Sequence, residues 1–461
     1  MVKKIICLAL SVMCIVSMSA CKEEKKRFET GTITSSEQQS DLSSDKTTSS
    51  DENKTSSQVN NSTTTEKNSS SNKGESSVPV IDMNDYIIPE SSKVEEVKTY
   101  IEPLSFKNTY KLNNTKKKLD SGETLKVVYF GTSVSTGSSW VDYVTSYLKT
   151  LGKVSAVNSS VGGAGSYAAL ARFENEVIAK NPDLVFIELS INDLYRGFEP
   201  EDSKKNIEYM IRRLYEKNPY ADIVVLFAPN TGTFGKQYES YLAHKEVADH
   251  YKIPCVDFGI GMFNLVKGSK EEFSKYLQDS VHPNAEGYKT YAEIVKTALK
   301  ELFTNDAKKK HTLPAVLVKN NYTTVTNYTC LNNDQLKNLD SSSFGIAAWN
   351  SSDVYEKSGC QFRSKDIKNI FPKYIYPKKT KVSFEFKFTG NSITMLGSIK
   401  DVAGLNFTLD GKATKMYGGT TLAEVIEYPL FNNLENKQHT LKVEVIGTQP
   451  HVAIAGFVVT Q

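Results

Sequence analysis

The sequence predicts a three-layer α/β/α sandwich with a parallel sheet, followed by an all-β sandwich of jelly-roll-like kind. Three observations carry this. Apolar runs of strand length, "LKVVYFG", "SAVNSS", "DLVFIELS", "DIVVLFAP" and "IPCVDFG", read as buried strands. They alternate with amphipathic stretches of helical length at 138–150, 167–180, 202–217, 237–251 and 285–302. That alternation favours a parallel sheet covered on both faces by right-handed crossovers. Beyond about Asn305 the rhythm changes to short alternating runs such as "KVSFEFKFTG", "LNFTLDG" and "HTLKVEVIG", bounded by Gly, Asn and Asp, which is the pattern of an all-β sandwich.

The elements follow in order. Lys3 and Lys4 precede a short apolar run, "IICLALSVMCIVSM", and small residues then lead to Cys21. This is the pattern of an export signal, too short for a comfortable membrane span. "MSAC" resembles a bacterial lipobox, with Met18 where Leu is more usual, so residues 1–20 are expected to be a lipoprotein signal peptide. Cys21 is then the lipid attachment point and anchors an exported chain to the extracytoplasmic face of the cell membrane; a plain secretory signal is the alternative. Residues 21–81 form a Ser/Thr-rich linker with almost nothing to bury. Its low-complexity part spans about 40 Å as a flexible coil. Residues 82–120 are expected to pack on the next domain as an N-terminal extension. The α/β domain is expected at 121–305 and the β domain at 306–461.

Composition narrows the function. With 56 Lys and Arg against 53 Asp and Glu the formal net charge is +3. No basic stripe forms, which argues against nucleic acid as a partner. Cys7 and Cys14 leave with the signal, and Cys255 is expected to be a buried thiol. Cys330 and Cys360 can form a disulfide outside the cytoplasm but are not compelled to. No two cysteines sit at metal-ligand spacing, so neither a metal nor a cofactor is implied.

In open parallel sheets ligands bind beyond the carboxyl ends of the strands. Those ends read "GTSVSTG", "NSSVGGAGS" and "SINDLYRG", with "DSVHPNAEGY" before the last helix. The first is either a strand-to-helix turn capped by Ser and Thr or the seat of a serine nucleophile. A serine hydrolase needs a nucleophile, a base, an acid that orients the base, and donors for the oxyanion. Of the histidines, His244, His250, His311, His439 and His451 lie on a helix, in the interdomain connection or in the β domain. Only His282 falls at the active edge, three residues after Asp279 on one tight loop, with Pro283 fixing the turn. "GTSVSTG" lacks the Lys-Ser/Thr of a P-loop, "GAGSYA" lacks a dinucleotide fingerprint, and "GTSVS" is not a nucleophile elbow.

Taken together and in this order, the four blocks resemble the SGNH (GDSL-type) hydrolase superfamily over about Leu125 to Phe303. The resemblance implies a nucleophile at Ser133, a triad completed by Asp279 and His282, and an oxyanion hole from the N–H groups of Ser133 and Gly163 with the Asn192 side chain. It departs at Thr132, where Asp is usual, and at Ser190, where Gly is usual. The first costs a carboxylate outside the triad; the second is expected to put a side chain near the oxyanion region. Ser135, Ser138 and Ser139 read as turn and helix-cap residues. Asp193 is expected to bond neighbouring backbone, and Arg172 either lines the mouth or pairs with Glu176.

The implied substrate is a short, acetyl-like ester. The β domain resembles modules attached to carbohydrate-active enzymes, and Trp349 could stack on sugar; a purely structural β domain is the alternative. The expected partner is therefore an acylated carbohydrate or small ester, and the oligomeric state is not legible. Three activities stay open: an esterase removing O-acetyl groups from carbohydrate, an O-acyltransferase using the same site, and a non-catalytic glycan-binding lipoprotein.

Overall fold

The computed structural model describes residues 106–137, 139–348, 370–419 and 426–461. The signal, Cys21, the linker and most of the N-terminal extension lie outside the described residues, as do Ser138, Trp349 and Cys360.

Helix α1 (Asn113–Asp120) precedes the sheet, and Phe106, Leu112 and Leu119 bury into the main core. Strands β1 (Leu125–Phe130), β2 (Val154–Asn158), β3 (Leu184–Ile187), β4 (Asp222–Phe227) and β5 (Cys255–Asp257) pair in parallel in the order β2-β1-β3-β4-β5. The interior strands β3 and β4 are buried along their whole length, as a sheet covered on both faces requires. Both edges differ from expectation. At β2, the edge strand among the described residues, the side chains are mostly exposed. At the other edge Cys255 is a partly exposed free thiol rather than a buried one.

The chain steps one way from β1 to β2 and the other way from β2 through β5. With right-handed crossovers this reversal puts the connecting helices on opposite faces. Helix α2 (Trp140–Leu151) accordingly packs with α9 (Ala285–Leu302), while α3 (Ser166–Glu176) and α6 (Glu239–His250) pack on α5 (Pro200–Lys217). Helices α4 (Ser190–Arg196), α7 (Phe258–Leu265) and α8 (Lys270–Ser274) were not visible in the sequence pattern. Each is too short for helical periodicity to register. The reversal also opens a crevice at the carboxyl ends of β1 and β3, where open α/β sheets take ligands.

The connection after α9 runs back along this domain. His311 Nε2 lies 2.9 Å from Asp222 Oδ1, and Asp222 Oδ2 accepts from the Thr115 N–H and hydroxyl at 2.8 and 2.7 Å. Glu208 on α5 accepts from the N–H groups of Leu317 and Val318. Two buried carboxylates, Asp222 on β4 and Glu208 on α5, thus fasten α1 and the connection to the domain.

The C-terminal region is a sandwich of two antiparallel sheets. Its strands are β6 (Val325–Tyr328), β7 (Phe344–Ala348), β8 (Lys373–Pro377), β9 (Ser383–Gly390), β10 (Ser392–Ile399), β11 (Ala403–Leu409), β12 (Ala413–Gly418), β13 (Ile426–Phe431), β14 (Lys437–Gly447) and β15 (Val452–Thr460). One sheet runs β13-β10-β15-β8-β7, with β6 also paired to β15; the other runs β12-β11-β14-β9. Burial separates the two. β9 alternates exposed and buried, so one of its faces meets solvent, whereas β10 and β15 are buried at every position. Their inner face meets the second sheet through Ile393, Met395 and Phe457. Their outer face packs Leu396, Ala453, Ala455 and Val458 against Val161, Ala164, Ala168 and Ala171, on α3 and the loop before it. The small residues of α3 let the sheet approach closely.

Candidate active site

The first strand ends in Gly131 and Thr132, and a single 3₁₀ turn follows at Ser133–Ser135, capped by the Thr132 hydroxyl. The turn has a firm base. Ser135 is buried, and its hydroxyl accepts from the Trp140 indole at 3.3 Å. Both Thr132, through its N–H and hydroxyl, and Ser135 donate to Glu188 Oε2 at 3.1, 2.7 and 3.2 Å. Glu188 directly follows β3 and is fully buried. Burial pushes its carboxyl up from 4.5 to about 7, against the pull of those donors and of His282. Sequence reasoning passed over Glu188 because it lies in an apolar strand run. The same contact gives Thr132 a physical role: its hydroxyl donates to a carboxylate that a second carboxylate at this position would oppose.

Across the crevice, the loop before α9 folds on itself. Asp279 Oδ1 accepts from the backbone N–H groups of Val281 and His282 at 2.8 and 2.7 Å. Its Oδ2 lies 2.7 Å from His282 Nδ1. Burial alone would raise this carboxyl, but the bonds from the His282 side chain and from the His282 and Val281 backbone hold it below its ordinary value. An ionised carboxylate only accepts, so Nδ1 carries the proton and Nε2 is left as the acceptor. Ser133 Oγ stands 2.7 Å from that Nε2. Residues 149 positions apart in the chain thereby form one hydrogen-bonded line, Ser133–His282–Asp279. His282 and Asp279 keep 29 % and 22 % of their side-chain surface exposed, so the line opens at the protein surface.

The loop between β2 and α3 lies against the nucleophile: a Cβ built on Gly162 would stand 3.5 Å from Ser133 Cβ. Gly163 has φ +75°, which a side chain would strain. At Gly165 a Cβ would fall 2.7 Å from the Phe198 ring and 2.9 Å from Asp193 Oδ1. Asn192 reaches this loop from the first turn of α4 and donates one amide N–H to the Ala164 carbonyl at 2.9 Å. Asp193 accepts from the Ser166 N–H at 2.7 Å through one oxygen and meets His244 Nε2 at 2.9 Å through the other. That is the neighbouring-backbone role expected of it.

Other expectations are corrected. The Ser190 side chain is wholly buried, with its hydroxyl 3.0 Å from that of Tyr238, so it leaves the oxyanion region untouched. Its position as the first residue of α4 turns it away. Of the two readings of Arg172, the pairing with Glu176 is the one the structure shows, at 2.6 Å, with the guanidinium buried over the Phe130 ring. Ser139 caps α2 as expected. Cys330 is a buried free thiol, and its candidate partner Cys360 lies outside the described residues.

Residues 127–290 match the model of the GDSL-like lipase/acylhydrolase family, so this part of the chain is a domain of that family. An arylesterase of Vibrio mimicus is 28 % identical over 183 residues, covering 38 % of this chain and 88 % of that enzyme. The thioesterase 1/protease 1/lysophospholipase L1 of Escherichia coli K12 is 24 % identical over 188 residues, covering 40 % of this chain and 84 % of that enzyme. Among solved structures, a two-domain esterase active on acetylated mannans superposes with a TM-score of 0.62 at 20 % identity, covering 78 % of this chain and 99 % of that one.

Proposed function

We propose that this carboxylic ester hydrolase, built on a GDSL-like lipase/acylhydrolase domain, removes short acyl groups, acetyl foremost, from an extracytoplasmic carbohydrate. The observation that carries the reading is His282, whose two ring nitrogens stand 2.7 Å from Ser133 Oγ and 2.7 Å from Asp279 Oδ2. His282 Nε2 takes the Ser133 proton as Oγ attacks the ester carbonyl, and the imidazolium formed is held by Asp279. The N–H groups of Ser133 and Gly163 meet the oxyanion together with the second amide N–H of Asn192. The proton then passes from His282 to the leaving alcohol. Water, activated by the same imidazole, releases the acyl group and regenerates Ser133.

The exposed setting of the triad supports a small acyl group on a bulky alcohol. Sharing both domains with an esterase active on acetylated mannans supports a carbohydrate as that alcohol. A lipid anchor at Cys21 would hold the enzyme at the membrane with the linker giving it reach. The test is hydrolysis of p-nitrophenyl acetate against the octanoate ester, wild type beside Ser133→Ala. Acetate turnover, faster than octanoate and abolished by the substitution, is expected. Equal inertness of both proteins on both esters and on acetylated glycans would overturn the reading in favour of transfer or binding.

A further inference from the structure

The loop that carries Gly163 is held by four side chains, three on α4 and one on the β-sandwich. The Gly163 carbonyl accepts from Arg196 Nε and Nη2 at 3.2 and 2.7 Å. The Ala164 carbonyl accepts from Asn192, and the Ser166 N–H donates to Asp193. The Gly165 N–H donates to Glu427 Oε1 at 2.6 Å, and the Ala168 N–H reaches the same oxygen at 3.3 Å. Glu427 lies on β13, and its other oxygen is 3.5 Å from Arg196 Nε. Its side chain is 1 % exposed, so it spans a buried, apolar interface to reach the loop.

We propose that Glu427 of the β-sandwich is a positioning residue for the ester-hydrolysis site, acting with Arg196 to fix the loop that presents the Gly163 N–H to the oxyanion. The inference rests on the proposed oxyanion role of Gly163. One carboxylate acts on both peptide groups that follow that glycine. It accepts at Gly165, two residues on, and it orients the guanidinium that grips the Gly163 carbonyl. The two peptide units that follow Gly163 are thereby held, which fixes the glycine from its carbonyl side. The carboxylate also sits at the amino end of α3, where the helix dipole favours a negative charge. Burial raises the Glu427 carboxyl, opposed first by the charge of Arg196 and then by the Gly165 N–H. The β-sandwich thus contributes to the chemistry itself, whatever it does for the substrate.

The test uses the full chain with Glu427→Gln, Arg196→Gln, the double variant, and Lys205→Ala as an interface control. Lys205 Nζ donates to Asn433 across the same interface at 2.6 Å without touching the loop. The readouts are kcat and KM on p-nitrophenyl acetate, and inhibition by an alkylboronic acid. That acid forms a tetrahedral adduct on Ser133 with an oxygen where the oxyanion would sit. Glu427→Gln should lower kcat roughly 10- to 100-fold with KM nearly unchanged, since small misplacements of catalytic groups cost rates of that order. Boronate inhibition should weaken in parallel. The double variant should lose no more than the worse single one, because both act through one loop. Lys205→Ala should match wild type. Should Glu427→Gln fail to fold, Arg196→Gln carries the same prediction from the α/β side. Ser133-dependent turnover with unchanged kcat and boronate affinity in Glu427→Gln would overturn this inference alone, as would an equal loss in Lys205→Ala. A wild-type chain that neither turns over ester nor binds the boronate would overturn the esterase reading and this inference with it.

Discussion

Glu188 sits beneath the nucleophile turn with three donors on one oxygen. Its carboxyl, raised by burial to about 7 from 4.5, makes stability depend on pH in a defined direction. A carboxyl whose pKa is higher in the folded state holds its proton more tightly there. The contribution is complete below about 4.5 and is lost as pH rises through about 7. At a pKa unit per 1.36 kcal/mol the loss reaches about 3 kcal/mol. Glu188→Gln keeps an acceptor and cannot ionise, so denaturant titrations at pH 5 and pH 8 should show a smaller decline than wild type. Asp257, raised by burial to about 6, leaves a residual slope. Asp279 works in the opposite sense, but only in acid below its ordinary 3.8. An identical decline in the variant would show that Glu188 does not ionise in this window. At Asn192 the expected effect is kinetic. Asn192→Ala removes the proposed oxyanion donor and the clasp on Ala164, and should cut kcat about 100- to 1,000-fold with little change in KM.

At the scale of elements, the catalytic loop and helix α9 depend on each other. Asn284 caps α9 by accepting from the Glu286 and Gly287 N–H groups, and its N–H returns to the Tyr276 carbonyl at 2.9 Å. Gly287 lets that loop close, because a Cβ there would fall 2.1 Å from the Tyr276 carbonyl oxygen. Gly287→Ala must therefore push the 276–284 loop outward and take His282 away from Ser133. Turnover should fall by about 100-fold, as for other small displacements at a catalytic group, while the helix itself keeps its propensity. Full activity in that variant would contradict the coupling. What the sequence disclosed at this scale follows the range of the forces. Strand runs, long amphipathic helices and the Asp279–His282 pair are local patterns, and they were legible. Helix α4 was not, since its seven residues begin directly after β3 and give periodicity no room. Glu188 and Glu427 were not, since their partners lie 56 and 262 residues away. Ser190 was misjudged for the same reason: its direction is set by Tyr238 on a distant segment.

For the whole molecule, the division into an α/β and a β region visible in the sequence understates their union. The outer face of the β10–β15 sheet is buried against α3, the connection is fastened through His311 and Glu208, and Glu427 reaches the site loop. An interface this apolar is expected to couple the two regions thermodynamically. Calorimetry of residues 106–461 should then show one cooperative transition, with calorimetric and van't Hoff enthalpies in agreement. Two separated transitions would contradict it. Ala168 offers a finer probe: Ala168→Leu overpacks the close approach of sheet and helix, and should cost about 1–3 kcal/mol and lower kcat through the adjoining loop.

The central claim is that Ser133, activated by His282, forms the covalent acyl-enzyme. Intact-mass spectrometry after treatment with an alkyl fluorophosphonate tests it most directly. One phosphonyl adduct on wild type, mapped to Ser133, absent from Ser133→Ala and slowed severely in His282→Ala, is the predicted result. An unmodified wild type, or an adduct that persists in Ser133→Ala, would contradict the account.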